Sequence, residues 1–300
     1  MLAVTILGNN SALPAYDRHP TAQVVTLDDH LFLVDCGEGT QMQLARYKIR
    51  RSRINHIFIS HLHGDHYFGL IGLITSMGLM HREHDLHLYA PGQLQQLINW
   101  QLEVAATTLP FIIQFHPLTE EGVIASSSKF KVEAFRVFHR IECWGFKFHQ
   151  VKAPRKVNPL KARENRIPEH FFDHLKKGED YTREDGYVVK NEWVTDAAPK
   201  PLTYAFAADT VYNEEVAEKV KQVDLLYHEA TYLKDLEDRA ITRFHCTSTQ
   251  AADIARRANA GKLLLGHFSS KYEKLDAFLE EAKEIFPNTE LALEGVTYRV

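Results

Sequence analysis

Ser60-His61-Leu62-His63-Gly64-Asp65-His66 brings three imidazoles and a carboxylate together in one short stretch. Ile57-Phe58-Ile59 leads in, and Gly69-Leu70-Ile71-Gly72-Leu73 leads out. The pattern predicts a buried strand that delivers a polar loop, followed by an apolar helix. Residues two apart in extended backbone point the same way, so His61 and His63 can grip one ion. Asp65 and His66, one turn on, can grip a second. Two divalent ions held about 3.5–4 Å apart activate water and stabilise charge on an attacked ester. A lone histidine more often caps a helix or fills a polar gap. Four ligand-type groups buried this closely without a metal would carry a large desolvation and repulsion cost. Imidazole with a few carboxylates suits Zn²⁺ best, with Mn²⁺ or iron as alternatives.

The chain has 300 residues, enough for one large domain or two small ones. No apolar stretch is long enough to span a bilayer, and Met1–Gly8 reads as a first strand rather than a signal peptide. Cys36, Cys143 and Cys246 are odd in number, widely spaced and outside any Cys-x-x-Cys pair. They point to a reducing, cytoplasmic setting without a separate structural zinc site. A net charge of −4 argues against wholesale coating of nucleic acid, but not against a local basic surface.

Around the histidine cluster, apolar runs predict strands at Ala3–Leu7, Gln23–Leu27, Leu31–Val34 and His56–Ser60, with a helix over Gly39–Tyr47. A helix from His66 to about Met80 precedes a strand at Leu86–Tyr89 and a helix over Gly92–Val104. Strands follow near Ile112–Phe115, Lys129–Phe138 and Trp144–Phe148. From Val151 to Pro201 the chain turns polar and mixed in charge, with Pro154, Pro159, Pro168, Pro199 and Pro201. A stretch this long inside a compact domain is usually functional or disordered, and its scattered apolar residues suggest a protruding, partly ordered arm. A variable surface insertion has the same composition. Strand–helix pairs then resume: Tyr204–Ala207 with Asn213–Val220, Asp224–Tyr227 with Thr247–Ala258, and Lys262–Leu265 with Glu273–Ile285. Strands at Leu291–Leu293 and Thr297–Val300 close the chain. Two similar halves of this kind fit an α/β fold, a four-layer αββα sandwich.

Three further ligand-type residues follow predicted strands: His139 after Phe135-Arg136-Val137-Phe138, Asp209 after Tyr204–Ala208, and His267 after Leu263-Leu264-Leu265-Gly266. Each alone reads as a cap or a core residue. With the first cluster they complete two metal shells, and Asp209 can bridge them.

This order of ligands resembles the metallo-β-lactamase superfamily and, within it, the ribonuclease Z family of tRNA 3′-processing endonucleases. The narrower resemblance rests on Asp35-Cys36-Gly37-Glu38-Gly39-Thr40-Gln41, the Ser60–His66 signature with Gly69-Leu70, and Ala208-Asp209-Thr210. It also rests on His228-Glu229-Ala230-Thr231, on His245 with Thr247-Ser248-Thr249, and on Gly266–Tyr272. It implies a single metallo-β-lactamase-like domain over 1–300, with 151–200 an inserted flexible arm serving as a tRNA-binding exosite. It implies two Zn²⁺ per subunit (Mn²⁺ possible), one on His61, His63, His139 and Asp209, the other on Asp65, His66, Asp209 and His267. Asp35 and His228 would stand behind these ligands, Asp65 would act as general base, and His245 oriented by Glu229 as proton donor. The helix-cap and surface-acid readings compete for His245 and Glu229. The implied reaction removes the 3′ trailer from precursor tRNA, leaving a 3′-hydroxyl on the tRNA and a 5′-phosphate on the trailer. The implied assembly is a cytoplasmic homodimer with no membrane partner.

Lys152, Arg155, Lys156, Lys161, Arg163 and Arg166 lead into the arm and read as RNA contacts, since phosphate contacts position a nucleic acid without reading its sequence. Arg46, Lys48, Arg50, Arg51 and Arg53 form a second basic run, equally well explained as a solvated face. Two stretches depart from the family pattern. Pro14-Ala15-Tyr16-Asp17-Arg18-His19 stands where the family often has Pro-x-Lys-x-Arg-Asn, and Arg166–Phe172 lacks the glycine-proline pair of the family arm. The competing readings are a generic di-zinc phosphodiesterase or other hydrolase of the superfamily, and a non-catalytic RNA-binding protein on a decayed scaffold.

Overall fold

The computed structural model describes residues 1–300. Its strands form two seven-stranded sheets. The first runs, edge to edge, Thr297–Arg299, Leu2–Gly8, Ala22–Leu27, His30–Val34, Ile54–Phe58, Leu86–Ala90 and Ile113–Pro117. The second runs Thr289–Leu291, Leu263–Gly266, Leu225–Glu229, Thr203–Ala207, Trp144–Gln150, Phe130–Arg136 and Gly122–Ser126. Pairing is parallel from His30–Val34 to Ile113–Pro117 and from Thr203–Ala207 to Thr289–Leu291. It is antiparallel in hairpins, between the distant strands Leu2–Gly8 and Thr297–Arg299, and between Trp144–Gln150 and Thr203–Ala207. Parallel strands need helical crossovers, and these supply the outer layers.

The first strand shows how sequence alternation places the sheet. Val4 and Ile6 point into a core shared with Phe146, Phe148, Tyr204 and Phe206 of the second sheet. Leu7 joins a second cluster with Leu44, Leu70, Leu73, Ile74, Met77, Leu94 and Ile98 of the covering helices. Ala251, Ala252, Ile254, Ala255 and Phe278 of the helices Ser248–Arg257 and Asp276–Ile285 close the far face of the second sheet. The result is the four-layer αββα sandwich. No helix is long and apolar enough to cross a membrane.

Gln150–Pro201 forms a compact unit of its own. It holds helices Pro159–Glu164, Phe172–Lys177 and Asn191–Val194 and two short antiparallel ribbons. Ala162, Ile167, Leu175, Val189 and Val194 make its small core. Buried Asn191 reinforces that core, donating from Nδ2 to the carbonyls of Leu175 and Glu179 at 2.8 and 3.0 Å.

The structure departs from expectation in several places in the larger unit, among them the strand expected at Leu291–Leu293, which lies at Thr289–Leu291. The helix expected from His66 to Met80 is two helices, Gly64–Tyr67 and Leu70–Leu79. The break lies at Gly69, where an added Cβ would meet the Gly37 carbonyl oxygen at 2.2 Å. The Gly69 amide instead donates to the Cys36 carbonyl (2.9 Å), and the Cys36 amide to that of His66 (2.8 Å). Tertiary contact between the two motif loops therefore overrides helix periodicity. Gly122–Ser126 is an unexpected edge strand, largely exposed and without clean alternation. Glu237–Arg243 is an unexpected helix that buries only Ala240.

Gly69→Ala should cost about 1–3 kcal/mol of stability, because the added methyl has only backbone to push against. It should also weaken metal binding by separating the loops that carry Asp35 and His66. Thermal unfolding with and without added zinc measures both, and a variant with unchanged midpoint and metal gain would contradict the tight fit.

Candidate metal centre

The carboxyl ends of six strands supply the site. Asp35 follows His30–Val34, the His61–His66 loop follows Ile54–Phe58, and His139 follows Phe130–Arg136. Asp209 follows Thr203–Ala207, Glu229 ends Leu225–Glu229, and His267 follows Leu263–Gly266. Two groups of ligand atoms converge: His61, His63, His139 and Asp209, and beside them Asp65, His66 and His267. In the first, His63 Nδ1 lies 2.9 Å from His61 Nε2 and 3.2 Å from His139 Nε2. Asp209 Oδ2 is 3.6 Å from His61 Nε2. In the second, His267 Nε2 is 3.4 Å from Asp65 Oδ2, and His66 Nε2 is 3.6 Å from the same oxygen. Asp209 faces this group too, with Oδ2 3.4 Å from His66 Nε2 and Oδ1 3.3 Å from His267 Nε2.

These separations fit a metal. Four ligands on a tetrahedral zinc at about 2.0–2.1 Å lie roughly 3.3 Å apart. His66 Nε2 and Asp209 Oδ1 are buried with no hydrogen-bond partner, a cost of about 1–3 kcal/mol each unless something else meets them. The outer ring nitrogens fix the tautomers that a metal requires. His66 Nδ1 donates to Asp35 Oδ2 at 2.7 Å. His61 Nδ1 lies 3.0 Å from Ser60 Oγ, whose hydroxyl donates to Asp35 Oδ2 at 2.8 Å. His139 Nδ1 donates to the Phe244 carbonyl at 2.9 Å. His267 Nδ1 meets Thr231 Oγ1 at 2.9 Å, and that hydroxyl donates to Glu229 Oε2 at 2.7 Å. In all four, the inner lone pair is left facing the centre.

The charges are severely coupled. Burial opposes a proton on His66, but Asp209, Asp65 and Asp35 outweigh it and raise its pKa. Burial, with the neighbouring imidazole of His66, drives His61 well below the usual histidine range. Burial works against ionisation of Asp209 and Asp65, yet the surrounding imidazoles hold both carboxyls low. Four residues of the site, Ala12, Asp35, Phe244 and His267, adopt left-handed backbone with φ between 55° and 64°, a strain that collects where surrounding contacts enforce it.

Beside the ligands, His245 Nδ1 lies 2.9 Å from Glu229 Oε1. Burial resists its charge, but Glu229 raises His245 to about 9. His245 also lies close enough to Asp209 and His267 to form a further ligand-type group, so geometry alone allows it to ligate as well as to donate a proton. His63, Asp65, Asp209, His245, Glu38 and Arg140 help line a cavity of about 290 Å³ over the centre. His228 is a correction. Strand alternation turns its side chain away from that of Glu229, and its Nδ1 donates to the Glu229 carbonyl rather than to a ligand.

Residues 2–151 match the family described as Anti-Pycsar protein Apyc1 and belong to it. Along nearly its whole length, the chain is 40% identical to ribonuclease Z of Bacteroides fragilis strain YCH46, covering 97% of this chain and 96% of that protein. The chain belongs to the ribonuclease Z family. Its identity to ribonuclease Z of Bacteroides thetaiotaomicron is 41%, over 97% of this chain and 93% of that one. Among solved structures, human tRNase Z, short form, superposes with a TM-score of 0.72 at 26% identity over 99% of both chains. The metallo-β-lactamase fold protein YhfI of Bacillus subtilis gives 0.71 at 20% identity, over 99% and 98%.

Within this ribonuclease Z family member, several site groups escape sequence reasoning. Ser60 and Thr231 relay ligand imidazoles to carboxylates; their only signal is adjacency to ligand motifs. The Ala12 amide donates to Asp65 Oδ2 at 2.7 Å, and the Phe244 carbonyl holds His139; neither leaves a side-chain signal. Arg140 Nε donates to His63 Nε2 at 3.1 Å, and its one clue is its place after His139. Of the basic arm residues, Lys152, Lys156, Lys161, Arg163 and Arg166 are exposed. Arg155 is half-buried and donates to Thr195 Oγ1 at 2.7 Å, an internal contact of the arm.

Asp35 accepts from Ser60 twice and from His66. Asp35→Asn should weaken zinc binding by roughly 10–100-fold while keeping the fold. Competition against a chromophoric chelator measures this, and wild-type affinity would remove Asp35 from its supporting role.

Proposed function

We propose that the chain is a zinc-dependent endoribonuclease that removes the 3′ trailer from precursor tRNA, leaving a 3′-hydroxyl on the tRNA and a 5′-phosphate on the trailer. The observation that carries this reading is the pair of ligand groups meeting at Asp209 beneath one open cavity, in a chain related to ribonuclease Z along nearly its full length. His61, His63, His139 and Asp209 would hold one Zn²⁺, and Asp65, His66 and His267, with Asp209 beside them, a second. Metal bound there would supply Lewis acidity toward an anionic phosphodiester and its attacking water.

The chain's own residues do the rest. Asp65 lines the cavity as an ionised carboxylate, kept in place by the Ala12 amide, and takes the proton of the attacking water. His245 lines the same cavity, its ring oriented by the buried Glu229 carboxylate. It delivers a proton to the departing 3′-oxygen, the work a positioned imidazolium does in general acid catalysis. Asp35, Ser60 and Thr231 hold the ligand rings in the tautomers described above.

The compact unit Gln150–Pro201 binds the tRNA body through its exposed lysines and arginines, where shape and phosphate contacts dominate recognition. The protein works as a cytoplasmic homodimer, one subunit's arm serving the other's site.

Incubation of the purified protein with labelled precursor tRNA, with and without chelator, is the direct test. Cleavage at the 3′ boundary that chelation abolishes and zinc restores is expected; intact precursor under zinc-replete conditions would overturn the assignment. Asp65→Ala should lower kcat by roughly 10²–10⁴-fold, and near-normal turnover would remove Asp65 from its role. Replacing residues 151–200 with a short linker should abolish cleavage of precursor tRNA and spare hydrolysis of a small aryl phosphodiester. Equal effects on both substrates would favour a generic phosphodiesterase.

A further inference from the structure

Four of the five ligand histidines present an outer ring N–H to an acceptor: a carboxylate, a hydroxyl or a carbonyl. His63 is the exception. Its inner atom is Nδ1, which meets His61 Nε2 and His139 Nε2. Its outer atom, Nε2, receives a hydrogen bond from Arg140 Nε. A neutral imidazole has one protonated nitrogen and one lone pair. In this arrangement His63 Nε2 uses its lone pair to accept from Arg140, so its proton sits on Nδ1.

A metal at Nδ1 requires the opposite tautomer. The inner nitrogen must offer its lone pair, and Nε2 must carry the hydrogen. Arg140 is then donor against donor, and a guanidinium has no acceptor to offer in return. The Arg140–His63 hydrogen bond and a metal on His63 are therefore mutually exclusive. Arg140 is exposed at the rim of the cavity, so its guanidinium can swing to a new acceptor once the bond is lost.

We propose that Arg140 is a phosphate-contacting residue of this cavity, released from His63 when the centre is loaded and then donating to a phosphate of the bound strand. The inference rests on the metal-centre reading above. Guanidinium is suited to the task because its planar fork matches the oxygens of a phosphate and stays charged throughout. The cavity otherwise offers carboxylates (Glu38, Asp65, Asp209) and imidazoles, which leaves Arg140 as its permanent side-chain cation. Binding of metal and readiness for an anionic strand are thereby linked through one imidazole.

The test compares wild type with Arg140→Ala and Arg140→Lys. Zinc affinity is measured by chelator competition, and calorimetry of the zinc-loaded proteins follows binding of the 5′-phosphorylated dinucleotide pUpU. Arg140→Ala should bind zinc as tightly as wild type or a few-fold tighter, since a competing hydrogen bond and a nearby cation are gone. It should bind pUpU roughly tenfold more weakly, as expected for loss of a charge-assisted contact. Arg140→Lys, which keeps the charge but not the fork, should fall between. With precursor tRNA, KM should rise with little change in kcat, the mark of a contact made equally in ground and transition states. Looser zinc binding in Arg140→Ala would make the residue a support for the metal and overturn the proposal. Unchanged pUpU affinity would do the same. Neither the zinc nor the pUpU measurement uses tRNA, so both test Arg140 even in a protein that fails to cut precursor tRNA.

Discussion

A carboxylate stripped of water has to be answered by positive charge, and Asp209 is only 2% exposed. Its two oxygens look toward His61, His66 and His267 at 3.3–3.6 Å. Neutral imidazoles cannot repay the several kcal/mol of desolvation that such an ion costs, and protonated ones would repel each other across the same small space. The arrangement makes sense as a receptacle for metal, and much of the surrounding architecture serves to hold it. Strand ends from both sheets deliver the ligands, left-handed residues aim them, and an outer ring of hydroxyls and carboxylates sets their tautomers. Two buried atoms without a hydrogen-bond partner, His66 Nε2 and Asp209 Oδ1, face each other's ligand groups here, in a protein whose two main cores are packed from large apolar side chains.

The parts of this site that were legible in the sequence are those governed by local spacing. His61, His63, Asp65 and His66 are neighbours in the chain, so a two-residue period and a single turn suffice to group them. His139, Asp209 and His267 could be singled out because each follows an apolar run, although only the fold brings them within reach of the first cluster. The layered architecture was readable for the same reason, from alternating strands and amphipathic helices. What local pattern could not carry depends on contacts between distant segments. The helix breaks at Gly69 where its amide bonds to the distant Cys36 carbonyl. Phe244 and Ala12 contribute backbone atoms, which no side chain announces. The edge strand Gly122–Ser126 is defined by its partner rather than by its own pattern. His228 shares a motif with Glu229, but strand alternation sends neighbouring side chains to opposite faces, and its Nδ1 meets the Glu229 carbonyl instead of a ligand ring. In Gln150–Pro201 the scattered apolar residues signal partial order, but spacing alone does not say that Ala162, Ile167, Leu175, Val189 and Val194 close into one small core.

The loop that departs from the family pattern also acquires a physical reading. Arg18 donates to the carbonyls of Tyr272 and Glu273 at 2.5 and 3.0 Å and to Asn10 Oδ1 at 3.0 Å. His19 makes both backbone and ring contacts to Glu294, at 2.5 and 3.0 Å. Arg18 and His19 therefore fasten the loop to segments near the chain's end, while Tyr16 stays exposed with the Arg18 guanidinium 5.3 Å from its ring centroid. The substitution at His19 has a structural partner in Glu294, and Tyr16 presents an aromatic surface where the family pattern has a lysine.

Both oxygens of the buried Glu229 carboxylate are fully engaged around the site. One oxygen accepts from the His245 ring and from the amides of Cys246 and Thr210, next to Asp209. The other accepts from the Thr231 amide and from the hydroxyl that steadies His267. A single acid thus ties together the His245 side of the pocket and the His267 side. Damage at this position would compromise both at once, so lesions at Glu229 and at His245 or His267 should be far from additive. A change that retunes one half of the site through this carboxylate therefore disturbs the other half.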